Sequence, residues 1–150
     1  MGSLQTRDIS LLATGLLCGL LLSPLFQSRM QQAPIRAPGV KEWRMSKWIK
    51  HGGVIRTQGI VGDLTKAATS SVTQQTAEAL GKLDDILAAA GVARANLLSV
   101  TVFLTDISKF DEMNEVYDKW VDPAGLPTRL CVQAKIGHGA ALEIRAEAYY

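Results

Sequence analysis

The sequence predicts an α+β domain in which two helices cover one side of a mixed sheet. Three observations carry this reading. Patterned segments follow one another from Trp48 in the order β-β-α-β-α-β-β. Each strand-like segment has one apolar face. Two segments, 71–90 and 109–120, repeat apolar residues at helical spacing. A chain of 150 residues is one domain's worth, with room for a single core.

Before that domain lies Ile9–Phe26, 18 residues without a charge. As a helix it extends about 27 Å, close to the roughly 30 Å hydrocarbon core of a bilayer. A retained single-span anchor is the favoured reading; a cleaved targeting segment and a buried helix are the alternatives. The start is weakly charged, with only Arg7 beside Asp8, and no A-x-A-like cleavage site follows. Arg29, Arg36, Lys41 and Arg44 follow the span against Arg7 alone before it. The positive-inside rule then puts the C-terminal domain on the cytoplasmic, matrix or stromal side, with the mitochondrial inner membrane the favoured location. The expected organisation is a tail over 1–8, a transmembrane helix over 9–26, a linker over 27–40 containing Pro34 and Pro38, and a folded domain over 41–150.

Trp48–His51 and Val54–Ile60 predict a hairpin around Gly52-Gly53. The helix over 71–90 buries Val72, Gln75/Thr76, Ala79/Leu80, Leu83 and Ile86/Leu87, is capped by Ser70 or Ser71, and ends at Gly91. Leu97–Thr105 alternates as a half-buried strand. The second helix, 109–120, aligns Phe110, Met113, Val116/Tyr117 and Trp120, and Asp122-Pro123 stops it. The last 25 residues read as two strands joined by the turn-rich loop Ile136–Ala141. In the first of these, Arg129, Cys131, Gln133 and Lys135 share one face. In the second, Glu143, Arg145 and Glu147 alternate with Leu142, Ile144, Ala146 and Ala148. If both lie in one sheet, Arg129 and Glu143 are expected to meet on its polar side.

Charge and composition exclude several functions. A net charge of +2 with lysine and glutamate intermixed gives no basic stripe, so nucleic acid is not an expected partner. Trp43, Trp48 and Trp120 read as packing residues rather than as base-stacking platforms. Cys18 and Cys131 fit neither a disulfide framework nor a zinc spacing, and two histidines alone make no metal site, so no metal is expected.

From Arg44 to Ala148 the chain resembles the RidA/YjgF family of enamine/imine deaminases, formerly labelled endoribonuclease L-PSP. The likeness is carried by Gln75-Thr76 with Leu87–Gly91, by Val100–Asp106 followed by Phe110 and Met113–Tyr117, by Pro127–Val132, and by Leu142–Ile144. It implies a chorismate-mutase-like fold, a trimer with sites between subunits, and no cofactor. It also implies hydrolysis of reactive enamine/imine acids to 2-oxo acids and ammonia. On this resemblance Arg129 binds the substrate carboxylate, Glu143 positions or activates the attacking water, and Cys131, Asn114 and Gly59 form the pocket. Cys131 is expected to act through packing rather than as a nucleophile. The chain departs from the family's pattern at Met45, where a pocket tyrosine is usual, at Gln58 in place of a serine, at Leu130 and at Ile136-Gly137. Three readings of function follow: a membrane-tethered deaminase, a non-catalytic accessory subunit of a larger membrane complex that reuses the fold, and a ribonuclease or RNA-binding role that echoes the old family label and against which the near-neutral charge argues. The alternative to a catalytic role for Arg129 and Glu143 is a structural ion pair in a subunit interface.

Overall fold

The computed structural model describes residues 33–39 and 44–150. Of these, all but Ala33 belong to one compact unit, Pro34–Tyr150. The expected tail, the span over 9–26 and the first part of the linker lie outside the described residues. Among the described residues no helix is long and apolar enough to cross a membrane.

Six strands form one sheet in the order β1-β2-β3-β6-β4-β5. They are β1 (Ile35–Pro38), β2 (Ser46–His51), β3 (Val54–Thr57), β4 (Leu97–Leu104), β5 (Thr128–Gln133) and β6 (Leu142–Tyr149). Two helices, α1 (Val72–Ala89) and α2 (Phe110–Trp120), pack into the same core as one face of the sheet. The expected architecture is therefore present, with one strand more than the sequence reading contained.

The additional strand corrects the domain boundary. Ile35–Pro38 falls within the expected linker, yet it pairs antiparallel with β2, and the unit begins at Pro34 rather than near Lys41. The two prolines that suggest a linker are compatible with an outer strand, because an edge strand leaves one row of backbone N–H groups unused. Ile35 stays exposed, so β1 carries no burial signal in its sequence.

Elsewhere the local chemistry dictates the elements. His51 and Val54 are paired across a two-residue turn, and Gly52 and Gly53 both have positive φ (61° and 81°). That turn matches strand twist but needs left-handed backbone at both centres, which glycine supplies without steric cost. Ser71 caps α1 by accepting from the Gln74 N–H, and Gly91 (φ 67°) follows the helix end. The α1 stripe Ala79, Leu80, Leu83 and Leu87 meets Ile55, Val100, Val102, Leu142, Ile144, Ala146 and Ala148 of the sheet. β4 and β5 run parallel, which requires a crossover, and α2 provides it.

Loops are tied to this core by polar side chains. Gln75 is 2% exposed; its Nε2 donates to the carbonyls of Ala67 and Ser70, and its Oε1 accepts from the Ala141 N–H at 2.7 Å. A single buried amide therefore fixes both the loop before α1 and the entry to β6. Arg94 grips Asp84 through two bonds of 3.0 and 2.8 Å, and the Trp120 indole donates to the same carboxylate. Trp120 and Trp48 both pack against the core, as expected of them.

Candidate functional site

The candidate residues fall into two groups on opposite sides of the sheet. Arg129 stands level with Val100 of β4, which is level with Ala146 of β6. Residues paired across strands share a face, so Arg129 lies on the helix-covered side. Glu143 is paired with Phe103, one step out of phase, and lies on the open side. The expectation that the two meet on one polar face is thus corrected. β4 sits between their strands, and the register it imposes sets β5 and β6 in opposite phase. The apolar side of β5 consequently faces the open side, where Leu130 is 56% exposed.

The Arg129 group is assembled by α2. Phe110, Asn114 and Tyr117 are four and three residues apart on one helical stripe, and they meet the β5 edge. Arg129 Nη1 donates to Asn114 Oδ1 at 2.7 Å. Its guanidinium lies 4.6 Å from the Tyr117 ring centroid and 5.5 Å from that of Phe110. Those contacts orient the planar fork without neutralising it, since the amide is neutral and aromatic faces offer only partial charge. Among the described residues no carboxylate forms an ion pair with Arg129. Cys131 follows two residues on along the same strand face. Burial pushes its thiol up, with the Arg129 charge pulling weakly the other way, so it is protonated near neutral pH. That state suits a packing role. Tyr117 is buried, its hydroxyl lacks a hydrogen-bond partner, and desolvation likewise raises its pKa against a smaller lowering by Arg129.

The Glu143 group is built by backbone. Gly59 lies so close that a Cβ added there would fall 1.6 Å from Glu143 Oε1. Only glycine leaves space for the carboxylate at that point. Glu143 is half-buried and forms no ion pair among those present in the described residues. Further along the same face a shallow cavity of about 200 Å³ is lined by Ser99, Thr101, Arg145, Ala146 and Glu147. Glu147 is bound by Arg56 at 3.0 Å and approached by Arg145 at 4.0 Å. Neither Arg129 nor Glu143 lines this cavity.

The structure therefore brings Arg129 together with Asn114 and Cys131, and Glu143 together with Gly59, and it separates the two sets. Met45, at the position of the usual pocket tyrosine, is half exposed. Tyr117 and Phe110 belong to the apolar stripe that the sequence assigns to the core. The signal for their second role was their spacing from Asn114 on one helix face.

The profile of the family described as Endoribonuclease L-PSP matches residues 36–150. The chain belongs to this family. A RutC family protein of Haemophilus influenzae is 33% identical over 93 residues, covering 62% of this chain and 78% of that protein. NMB1025, a YjgF-family protein of Neisseria meningitidis, superposes with a TM-score of 0.72 at 28% identity, over 81% of this chain and 96% of that one. TdcF of Escherichia coli, whose name assigns it a provisional reactive intermediate deaminase activity, is 38% identical over 80 residues, which span 51% of this chain and 62% of TdcF. A crystal structure of TdcF with bound serine superposes with a TM-score of 0.67 at 31% identity, covering 77% of this chain and 94% of that one. The α+β fold with a mixed six-stranded sheet and two helices is the fold of this L-PSP (YjgF) family. A general RidA-like function accords with these relatives.

Proposed function

We propose that this chain hydrolyses reactive enamine/imine acids to 2-oxo acids and ammonia at sites between three copies of itself, held at a membrane by residues 9–26. The observation that carries the reading is Arg129, a half-buried guanidinium oriented by Asn114 and two rings yet left without an ion-pairing carboxylate among the described residues. Such a fork suits a bidentate bond to the carboxylate of a small acid.

Glu143 supplies the complementary group. In the iminium form of the substrate, C2 is already electrophilic, so the protein needs placement and one activated water. Glu143 accepts a proton as the water oxygen bonds to C2. That proton then passes to the nitrogen of the resulting carbinolamine. The C–N bond breaks as the C2 hydroxyl gives its proton to Glu143, the C2 oxygen becomes the ketone of a 2-oxo acid, and the departing ammonia takes that proton and leaves as ammonium. No covalent enzyme intermediate is required, in accord with a protonated Cys131.

Because Arg129 and Glu143 occupy opposite faces of one sheet, one substrate is reached by both only if they come from different copies. A cyclic trimer with a head-to-tail interface provides that arrangement three times over. The test is complementation. Arg129→Ala and Glu143→Ala chains, each inactive alone, are co-expressed and assayed with an enamine generated freshly from serine by a dehydratase. Random assembly regenerates an intact pair at about a quarter of the interfaces of a cyclic oligomer. Recovered activity of that order supports the reading; none, from correctly assembled mixed trimers, sinks it.

The uncharged run Ile9–Phe26 favours a second reading, a non-catalytic accessory subunit of a membrane complex, because a diffusible scavenger needs no tether. An inert wild-type chain that co-purifies with larger membrane partners would favour it.

A further inference from the structure

Between β3 and the loop that follows it, the pairing with β6 slips by one residue. Arg56 stands opposite Glu147, and Ile60 stands opposite Ile144, so five residues on one side face four on the other. Such an extra residue is a β-bulge, a device that re-aims a side chain at the cost of one ladder bond. Thr57 covers the interruption. It is 6% exposed, and its Oγ1 accepts from the Ala146 N–H at 3.0 Å. Gly59, two residues on, is the one against which Glu143 Oε1 lies. Gln58 stands between them, at the slip itself.

The backbone of Gln58 is fully engaged. Its N–H donates to the Lys47 carbonyl at 2.8 Å, and its own carbonyl accepts from Thr57 Oγ1 at 2.8 Å. Its side-chain Oε1 is buried and has no hydrogen-bond partner. Leaving an amide oxygen in that state is unfavourable by about 1–3 kcal/mol. The other buried amide of this region, Gln75, has both its oxygen and its nitrogen bonded. This unused acceptor lies one residue from the glycine that Glu143 touches, and a turn of the Gln58 amide would present it to a donor arriving with a ligand.

We propose that Gln58 is a specificity-determining residue of the Glu143 half of the site, with Oε1 accepting a hydrogen bond from the nitrogen at C2 of the bound acid. The inference rests on the deaminase reading and adds the atom that distinguishes substrate from product. A 2-imino or 2-amino acid presents an N–H to Gln58. A 2-oxo acid presents only an acceptor, so hydrolysis removes the bond and returns the oxygen to its unpaired state, which favours product release. Discrimination of this kind is strong because a buried polar group is left unpaired by the wrong ligand.

The experiment is calorimetric binding of L-2-aminobutanoate and of 2-oxobutanoate to the full chain in mild detergent, with turnover of freshly generated enamine measured in parallel. The wild type is expected to prefer the amino acid, and Gln58→Leu to lose about 10-fold of that preference. Gln58→Glu, which keeps an acceptor at the same reach, retains it. Gln58→Asn, one methylene shorter and still polar, loses it; this variant serves if the leucine variant does not fold. A purely structural Gln58 would weaken both ligands equally and leave the ratio unchanged, which overturns the proposal. A wild type that binds neither ligand, or shows no preference, overturns it too. Selective binding with no turnover upholds Gln58 as the selector and removes the deaminase reading alone.

Discussion

The two halves of the candidate site are held by different means. Arg129 is dressed by side chains: its hydrogen bond to the Asn114 amide oxygen and the faces of Tyr117 and Phe110, all from one stripe of α2. Glu143 is dressed by backbone: a glycine close enough to touch the carboxylate, at the end of a bulge in the register between β3 and β6. A long, flexible cation loses much rotamer entropy when it is fixed, so several contacts are needed to hold its fork. A short carboxylate on a central strand is already oriented by the sheet. It needs room rather than partners. The difference predicts that the first half degrades gradually as contacts are removed, whereas the second fails abruptly when space is lost.

The largest expected effect comes from Arg129. Replacing it with lysine keeps the charge but removes the planar fork, and kcat/KM for an enamine acid should fall by about 100-fold. Steady-state kinetics of Arg129→Lys beside Arg129→Ala checks this. A lysine variant near wild type would mean that the half-site supplies charge only, and the comparison between the two halves would lose its first term.

Gly59→Ala is the sharper probe of the second half. The new methyl carbon would occupy space 1.6 Å from Glu143 Oε1, so the carboxylate must swing away. A displacement of that size costs about 10- to 100-fold in kcat, with little change in the binding of a simple carboxylate ligand. Turnover and calorimetry on the same preparation separate the two quantities. Equal losses in both would show that the two halves are not independent.

Asn114→Ala should be milder. The guanidinium keeps both rings beneath it and loses one bond to a neutral amide, so a rise in KM of about 5- to 10-fold is expected, with kcat nearly unchanged. A fall in kcat of the size given by Gly59→Ala would show that Asn114 acts on the reacting atoms and not through Arg129.

Much of the fold was legible because local chemistry and global packing agree in this chain. The glycine pair at 52–53, the Ser71 cap, Gly91 and the apolar stripe of α1 each specify one structure. β1 leaves no mark in the sequence because an edge strand needs no alternating burial, and Ile35 and Pro38 are both exposed. The site was legible as a set of residues but not as a geometry. Alternation within β5 and β6 gives each strand its two faces, but the relative phase of the two depends on how each pairs with β4. No residue within either strand encodes that phase. The same holds for the bulge at Gln58, which exists only as a mismatch between two registers.

The smallest predicted effect tests how dry the Arg129 half is. Tyr117 is buried with an unpartnered hydroxyl, and desolvation holds its pKa above the ordinary value of 10.0, with Arg129 opposing. The folded state therefore keeps the Tyr117 proton where an unfolded chain would release it. Stability from this group is complete below the unfolded pKa and is lost as pH rises from about 10 through the higher folded value. Cys131, raised above its ordinary 9.0 by the same cause, begins the decline a little earlier. Urea unfolding at pH 8 to 11 should show stability falling across that window, and Tyr117→Phe should make the upper part of the fall shallower. At pH 7 the phenylalanine variant should match the wild type or exceed it by up to about 1 kcal/mol, because an unpaired buried hydroxyl is removed. If instead Tyr117→Phe destabilises at pH 7 and leaves the alkaline slope unchanged, the hydroxyl is bonded in solution. The Arg129 half would then be wet rather than dry.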